Sequence, residues 1–363
     1  MNTQKNFFRI PGPFPLDSGA ALSEIEIAYH SYGTKNEAGT NTVLVLHALT
    51  GSSAAHEWWS GLIGSGALLD PERYFIVAPN LLGSCYGTTG PESLNPRTGR
   101  PYLASFPEIT PRDMARVVLR LLDALHIETV HLAIGGSLGG MVVLELALLA
   151  GERFERIAPI AVSAAHSAWR LAFSSTVRKT ILAFDPSLQN REQLVRGMKL
   201  ARQIAMATYR SAEEFDARFA RRRNGPLFEV ESYLEHQGEK IAARFSPYSY
   251  LTMTRAMELY DLAQGQSVER AARSLHGRAL FVGISSDLLY PPQEIEHVAS
   301  LVPNAEYRTL EAVHGHDSFL VDTGALATLL RPFLESRTNT PSRPVRIHPI
   351  LSEHNISEEA VAA

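Results

Sequence analysis

The apolar positions of this chain fall into short runs separated by amphipathic segments. An alternating stretch at residues 25–30 has the two-residue period of a half-exposed strand. Later runs lack this alternation, and continuous Val, Ile and Leu suit strands that are buried on both faces of a parallel sheet. These runs lie at residues 43–46, 74–78, 130–134, 157–162 and 279–284. Helical patterns, such as residues 114–125 and 141–149, lie between them. We therefore predict an α/β fold with a mostly parallel central sheet and helices on both faces.

The alternation of strand and helix stops between residues 167 and 275. That stretch has helical patterns at residues 193–208 and 249–262 and no convincing strand run. An all-helical insertion between two sheet strands is the usual construction of a cap. We predict a core formed by residues 1–166 and 276–336, a helical cap at 167–275, and a flexible C-terminal tail at the polar residues 337–363.

Composition narrows the class of protein. The chain is 45% hydrophobic and 20% charged, which is typical of a globular protein. A net charge of −4 gives no general electrostatic reason to expect nucleic acid or an anionic membrane as a partner. No run reaches the roughly 18 apolar residues that a membrane helix needs, and no signal peptide is apparent. One cysteine leaves no disulfide framework and suits a reducing compartment, so we expect a cytoplasmic enzyme or binding protein.

The first candidate for chemistry is Ser137, in the sequence GGSLGG at residues 135–140. It lies between a predicted strand and a predicted helix. A serine on such a sharp turn needs small neighbours, because larger side chains would collide with the turn. Its hydroxyl would lie above a helix N-terminus, which favours negative charge. The pattern alone also fits an ordinary glycine-rich turn, so a nucleophile is predicted only if partners are present.

Two residues are candidates for those partners. Asp287 directly follows the predicted strand at 279–284, and His316 lies in the loop after a predicted strand at 306–310. A serine nucleophile needs a base and a group that orients it, and on this kind of fold the chain order is Ser, acid, His. An Asp after a strand can also be a plain helix cap. His314 is a rival base, and His314, His316 and Asp317 could form a metal cluster, although no further ligand completes the set.

An acyl-transfer site also needs two amides that converge on the oxyanion. The amide of Leu138 follows the nucleophile, and the amide of Leu49 lies in the loop after the strand at 43–46. We predict that these two form the oxyanion hole. His47 is interpreted as structural at a strand end, and Cys85 as a loop-packing residue without an assigned base.

The predicted cap contains Arg202 and Tyr209, which are seven residues apart. That spacing is two helical turns, so both side chains lie on one face of a helix. The arginine would offer a carboxylate a bidentate partner, and the tyrosine a second hydrogen bond. The simpler interpretation is a surface arginine over an apolar helix face. The three arginines at residues 221–223 are interpreted as a solvated charge run.

Several strings together resemble one family, the homoserine O-acetyltransferases and their close relatives within the α/β-hydrolase superfamily. The resemblance extends from residue 25 to residue 334. The strings are HALTG at 47–51, NLLGSCYGTTGP at 80–91, GGSLGGM at 135–141, SYL at 232–234, QGEK at 237–240, SD at 286–287, PP at 291–292 and GHD at 315–317. The resemblance implies an α/β-hydrolase fold with Ser137, Asp287 and His316 as the catalytic triad.

The same resemblance implies the substrates. Arg202, with help from Tyr209, would bind the carboxylate of an amino acid, and Asp317 would bind its α-ammonium group. The activity would be transfer of the acetyl group of acetyl-CoA to L-homoserine by a ping-pong mechanism, which feeds methionine biosynthesis. No bound cofactor or metal is implied, since acetyl-CoA is a co-substrate. A homodimer formed through the cap helices is also implied.

The chain departs from the family pattern near the pocket mouth. The string SSTVR at residues 174–178 stands where the family often has Asn-Glu-x-Gln-Arg, and SPY at 246–248 replaces the commoner Asp-Ala-Asn. Tyr86 is a candidate for the bulk that would favour a short acyl group. Three alternatives therefore stay open: succinyl-CoA or L-serine as substrate, an esterase or thioesterase that uses water, and an inactive member that only binds.

Overall fold

The computed structural model describes residues 4–336 and 346–347. Its strands, in chain order, are β1 (Lys5–Pro15), β2 (Ala21–Tyr32), β3 (Thr42–Leu46), β4 (Phe75–Pro79), β5 (Leu94–Asn95), β6 (Arg100–Pro101), β7 (Leu132–Gly136), β8 (Arg156–Ile160), β9 (Arg223–Asn224), β10 (Leu227–Phe228), β11 (Arg278–Ile284), β12 (Ala305–Leu310) and β13 (Arg346–Ile347). Within the described residues, nine of them form one sheet in the order β1-β2-β4-β3-β7-β8-β11-β12-β13.

The sheet is antiparallel at one edge and parallel elsewhere. β1 pairs with β2, and β2 with β4, in antiparallel register, whereas every pair from β4 to β13 is parallel. β3, β4, β7, β8 and β11 correspond to the five predicted runs, and all five consist almost entirely of buried residues. The predicted α/β fold is therefore confirmed. Because parallel strands end at one edge, the loops that follow β3, β7, β11 and β12 gather there.

The edge strand β1 was not anticipated by the sequence pattern. It contains Pro11, Pro13 and Pro15, and its register with β2 shifts between Pro11 and Phe14. Proline lacks the N–H that a central strand must donate, but an edge strand with a bulge tolerates it. Ile10 and Phe14 of this strand are buried and belong to the hydrophobic core, whereas Phe7 is exposed.

Helices cover both faces of the sheet. They are α1 (Ala55–Trp58), α2 (Pro111–Ala124), α3 (Leu138–Ala150), α4 (Ala168–Phe184), α5 (Arg191–Tyr209), α6 (Ala212–Arg218), α7 (Glu229–Arg244), α8 (Pro247–Glu258), α9 (Val268–Arg273), α10 (Pro292–Leu301), α11 (Ser318–Val321) and α12 (Thr323–Glu335). One apolar core lies between the sheet and α2, α3 and α10, and a second core lies under α12 on the opposite face. Within the described part of the chain, no helix has the length and apolar character to span a bilayer.

The segment between β8 and β11 carries the helices α4 to α9. α5 packs between α4 and α7, so it is the central helix of this group. Many of the helices begin at a polar cap: Ser167 accepts a hydrogen bond at the start of α4, and Asn190 does so for α5. The segment also contains the hairpin β9–β10, which the sequence pattern missed because two-residue strands carry no measurable period. The division into core (1–166 and 276–336) and cap (167–275) stays a prediction.

The predicted flexible tail at 337–363 lies outside the described residues, apart from the backbone of β13. That short strand pairs with Thr309 and Leu310 at the end of β12.

Candidate active site

Ser137 occupies the turn between β7 and α3. Its backbone has φ 55° and ψ −120°, a conformation that costs a non-glycine residue about 1–3 kcal/mol. Two hydrogen bonds hold it there: its N–H donates to the carbonyl of Ile160 at 2.9 Å, and its carbonyl accepts from Met141 at 3.0 Å. The strand ends at Gly136 and the helix begins at Leu138, so Ser137 is the single residue between them. The predicted strand ended at residue 134 and the predicted helix began at residue 141, so the observed turn is shorter than predicted.

The glycines around Ser137 allow the close packing of this turn. A Cβ on Gly139 would collide with the carbonyl oxygen of Leu46 at the end of β3, and one on Gly135 would lie 2.6 Å from the carbonyl carbon of Gly139. The N-terminus of α3 therefore packs directly on the end of β3. This contact brings the loop after β3 next to Ser137.

Asp287 and His316 meet beyond the ends of β11 and β12. The Oδ2 atom of Asp287 lies 2.7 Å from Nδ1 of His316, and both side chains are buried. The other oxygen, Oδ1, accepts hydrogen bonds from the backbone N–H groups of Leu289 at 2.8 Å and Tyr290 at 2.9 Å. Three donors thus fix the carboxylate. It can hold the imidazole with a proton on Nδ1 and leave Nε2 as the base.

Tyr290 is a pocket residue that the sequence analysis missed. Its ring stacks on the His316 imidazole with centroids 5.1 Å apart and 17° between the planes. The guanidinium of Arg170 lies 3.6 Å above the same ring, and its Nη2 donates to Glu294 at 3.0 Å. Burial raises the pKa of Tyr290, so its hydroxyl stays protonated. The only signal in the sequence was its position three residues after Asp287.

Leu138 directly follows the nucleophile, and Leu49 lies in the loop after β3. Leu49 belongs to a turn closed by a hydrogen bond from Gly51 to Ala48 at 3.0 Å, and it lines the pocket together with Ser137. Leu138 is the first residue of α3, where helix amides have no acceptor within the helix. Their assignment as the oxyanion hole stays a prediction.

One cavity of about 90 Å³ contains the candidate residues of the core and those of the helical segment. Ser137, His316 and Asp317 line it from the sheet edge, and Arg202 and Tyr209 line it from α5. The Arg202 guanidinium lies 5.3 Å from the centroid of the Tyr209 ring, so the two side chains lie on one face of the helix, as predicted. Burial raises the pKa of Tyr209 well above its ordinary value, which keeps its hydroxyl a hydrogen-bond donor. The interpretation of Arg202 as a surface residue is therefore wrong, because it is 4% exposed.

Asp317 has a partner that the sequence analysis did not identify. Its Oδ2 lies 3.2 Å from Nε of Arg210, the residue directly after α5. Arg210 also donates from Nη1 to Glu214 at 3.0 Å, and its side chain is 2% exposed. Two charged groups therefore come together across the junction between α5 and the loop that carries His316.

Three other candidates, His47, Cys85 and His314, do not line the cavity of Ser137. His47 is buried, its Nδ1 lies 2.7 Å from the carbonyl of Ala48, and its Nε2 accepts from the amide of Leu81, so burial lowers its pKa to about 4. Burial raises the pKa of the Cys85 thiol to about 11, which leaves little thiolate. His314 faces a different cavity, where Asp322 raises its pKa.

Tyr86, the candidate for bulk beside the acyl group, lies outside the cavity of Ser137. Its hydroxyl accepts a hydrogen bond from Arg244 at 2.8 Å. The arginines at residues 221–223 are exposed, as expected of a solvated charge run. Among residues 4–336, no group of three His, Cys, Asp or Glu side chains has an arrangement that could hold a metal ion.

Comparison with known proteins identifies the fold and the family of the chain. A family model described as the alpha/beta hydrolase fold matches residues 41–323. A curated protein of Trichormus variabilis named homoserine O-acetyltransferase is 45% identical over 343 residues, which is 93% of this chain and 95% of that protein.

Solved structures resemble the chain over nearly its whole length. The homoserine O-acetyltransferase of Bacillus anthracis has a TM-score of 0.85 at 23% identity and covers 93% of this chain and 98% of its own. An acetylester hydrolase from Corynebacterium glutamicum has a TM-score of 0.82 at 23% identity, covering 92% and 96%. At this identity the structures show the fold alone, and the same fold serves both transferases and hydrolases.

Proposed function

The chain belongs to the homoserine O-acetyltransferase family, which has the α/β-hydrolase fold, and we propose that it transfers the acetyl group of acetyl-CoA to the side-chain hydroxyl of L-homoserine. The observation that carries this proposal is a single buried pocket with two kinds of residue. It contains a serine on a strained turn beside an Asp–His pair 2.7 Å apart, and it also contains an arginine and an aspartate that suit the two charges of an amino acid. A site for simple ester hydrolysis needs only the first kind.

The first half of the reaction acetylates the enzyme. His316, oriented by Asp287, takes the proton of Ser137 through Nε2 while Oγ forms a bond to the thioester carbon. The resulting oxyanion is stabilised by the amides of Leu49 and Leu138. When the intermediate collapses, the carbon–sulfur bond breaks, the proton on His316 passes to the sulfur, and CoA leaves. The product of this half is an acetyl ester on Ser137.

The second half repeats these steps with a different nucleophile. L-Homoserine enters with its carboxylate on Arg202 and Tyr209 and its α-ammonium group on Asp317. His316 removes the proton from the homoserine hydroxyl, whose oxygen attacks the acetyl carbon. The bond from that carbon to the Ser137 oxygen breaks, the serine recovers its proton from His316, and O-acetyl-L-homoserine leaves. The two charged contacts hold the hydroxyl close to the ester and so favour it over water.

An assay of donors and acceptors tests the proposal and its alternatives together. Purified protein is mixed with acetyl-CoA or succinyl-CoA, and with L-homoserine, L-serine or no acceptor, while free thiol and acylated amino acid are measured. We expect the fastest sustained turnover with acetyl-CoA and L-homoserine. One methylene separates serine from homoserine and is worth only about 1–3 kcal/mol in a pocket, so a lower serine rate agrees with the proposal. Equal thiol release without an acceptor would instead identify a thioesterase.

We also propose a cytoplasmic location and a homodimer formed through the cap helices. Support for the dimer comes from large apolar side chains on the outside of α4 and α5: Leu171 is 40% exposed, Phe184 39% and Leu200 42%. Light scattering coupled to size-exclusion chromatography tests the dimer. The variant Leu200→Glu should shift the mass to that of a monomer, and an unchanged mass for both proteins at the monomer value would reject it.

A further inference from the structure

We propose that Arg210 is a positioning residue for the acceptor half of the reaction, acting by fixing the carboxylate of Asp317. This inference rests on the proposed function, since it concerns how the α-ammonium group of the acceptor is recognised. Arg210 itself is not among the residues that line the cavity of Ser137. It lies behind Asp317, which does line that cavity.

The contacts of Arg210 are those of a residue that orients a carboxylate. Its Nε lies 3.2 Å from Oδ2 of Asp317, and its Nη1 donates to Oε1 of Glu214 at 3.0 Å. The exposed fraction of the side chain is 2% for Arg210, 9% for Glu214 and 13% for Asp317. A guanidinium is planar and rigid, and the hydrogen bond to Glu214 holds that of Arg210 in place beside Asp317. The ion pair with Nε then holds Oδ2 of Asp317, and in the proposal the other oxygen, Oδ1, receives the ammonium group.

Arg210 is shared between two carboxylates, Glu214 and Asp317, and Glu214 has a second cation, Arg218, at 3.8 Å. Glu214 and Arg218 line a separate cavity, whereas Asp317 lines the cavity of Ser137 and is 13% exposed. An ammonium group in the cavity of Ser137 would therefore add a second cation to Asp317, as Arg218 does for Glu214.

The backbone at this junction couples α5 to the loop of the base. Ser211 caps α6 by accepting from the amide of Glu214 at 3.0 Å, and its hydroxyl donates to the carbonyl of Val313. Gly315 has φ 68°, and a Cβ there would lie 2.6 Å from the carbonyl oxygen of Tyr209. The end of α5 thus packs on the loop that carries His316 and Asp317. Arg210 adds the charged contact that sets the rotation of Asp317 within this junction.

The test separates the two halves of the reaction in four proteins: the parent, Arg210→Met, Asp317→Asn and the double variant. Acetylation of Ser137 is followed by rapid-quench mass spectrometry with acetyl-CoA alone, and transfer by kcat/KM for L-homoserine. We expect Arg210→Met to lower kcat/KM for homoserine by about 100-fold, the usual effect of misplacing a binding group by 1 Å, with acetylation within about threefold of the parent. The double variant should be no worse than Asp317→Asn, because Arg210 acts through Asp317.

A second acceptor and two further variants complete the test. 4-Hydroxybutanoate lacks the ammonium group, so its transfer rate should be similar in the parent and in Arg210→Met. Arg210→Lys keeps the charge and should recover about tenfold of the loss, which also serves if the methionine variant does not fold. Arg218→Met removes the neighbouring cation on Glu214 and should match the parent. Equal loss in acetylation and transfer, or additive effects in the double variant, would overturn the inference. If the parent itself never acetylates Ser137, the proposed function fails instead.

Discussion

Replacing Asp287 by asparagine tests the assigned chemistry of the Asp287–His316 pair with little change in shape. In the parent, Oδ1 of Asp287 accepts from the amides of Leu289 and Tyr290, and Oδ2 lies 2.7 Å from Nδ1 of His316. An asparagine can satisfy the two backbone donors only with its own carbonyl oxygen. Its NH2 group then faces Nδ1, which must become an acceptor. The imidazole proton moves to Nε2, and His316 can no longer accept the proton of Ser137.

The size of the effect follows from that tautomer. We expect kcat for acetyl transfer to fall by about 10⁴-fold, the loss seen when the carboxylate of such a triad becomes an amide. Four decades correspond to about 5.4 kcal/mol of activation free energy. The free energy of unfolding should change little, because both backbone donors keep an acceptor. Asp287→Ala leaves these two buried donors without a partner and should lower stability by about 1–3 kcal/mol for each of them.

The assay pairs initial rates of O-acetylhomoserine formation with urea unfolding for the parent and both variants. If Asp287→Asn kept its activity within tenfold of the parent while remaining folded, the assignment of His316 as the base held by Asp287 would be wrong. The alanine variant is the control for stability. A large loss of rate in both variants with a loss of stability only in Asp287→Ala is the expected pattern.

Three other changes have expected outcomes. Burial raises the pKa of Glu145 from 4.5 to about 7, so the folded state binds this proton more tightly than the unfolded state, and the free energy of unfolding falls as pH rises through that window. Measured by urea unfolding, the stability of Glu145→Gln relative to the parent should therefore rise by up to about 3 kcal/mol between pH 4 and pH 8. Arg202→Met should raise KM for homoserine by at least about 30-fold in steady-state assays, since losing a charged hydrogen-bond partner costs about 2 kcal/mol or more, and should leave the rate of Ser137 acetylation nearly unchanged. An equal loss of rate in the acetylation and transfer halves would reject the role of Arg202. Gly139→Ala should lower acetylation by at least about tenfold in rapid-quench assays, because the added Cβ separates α3 from the carbonyl of Leu46 and so moves the two candidate oxyanion amides apart.

The sequence pattern was sufficient for the fold because the strands of the parallel sheet are buried on both faces. Such strands must be continuously apolar, and β3, β4, β7, β8 and β11 have that character. β1 was missed because its three prolines are compatible with a strand only at a sheet edge, and no local pattern identifies an edge.

Some residues of the candidate site could likewise be predicted from the sequence, and others could not. Ser137, Asp287 and His316 could be proposed because each follows a predicted strand, and strand ends meet at one edge of the sheet. Arg210 could not, because its partner Asp317 is far along the chain and the contact depends on how α5 packs on the loop after β12. Tyr290 was also missed, since its position three residues after Asp287 does not show that its ring stacks on His316.

The central claim is that Ser137 carries the acetyl group between two substrates, and one measurement tests it most directly. Purified protein is mixed with acetyl-CoA in the absence of an acceptor, digested in acid and analysed by peptide mass spectrometry; a second sample receives L-homoserine before quenching. We expect one acetyl group on the peptide that contains Ser137, its loss on adding homoserine, and an equal amount of O-acetylhomoserine. Transfer of acetyl to homoserine by a Ser137→Ala variant at the parent rate, or discharge of the acetyl group only to water, would contradict the account.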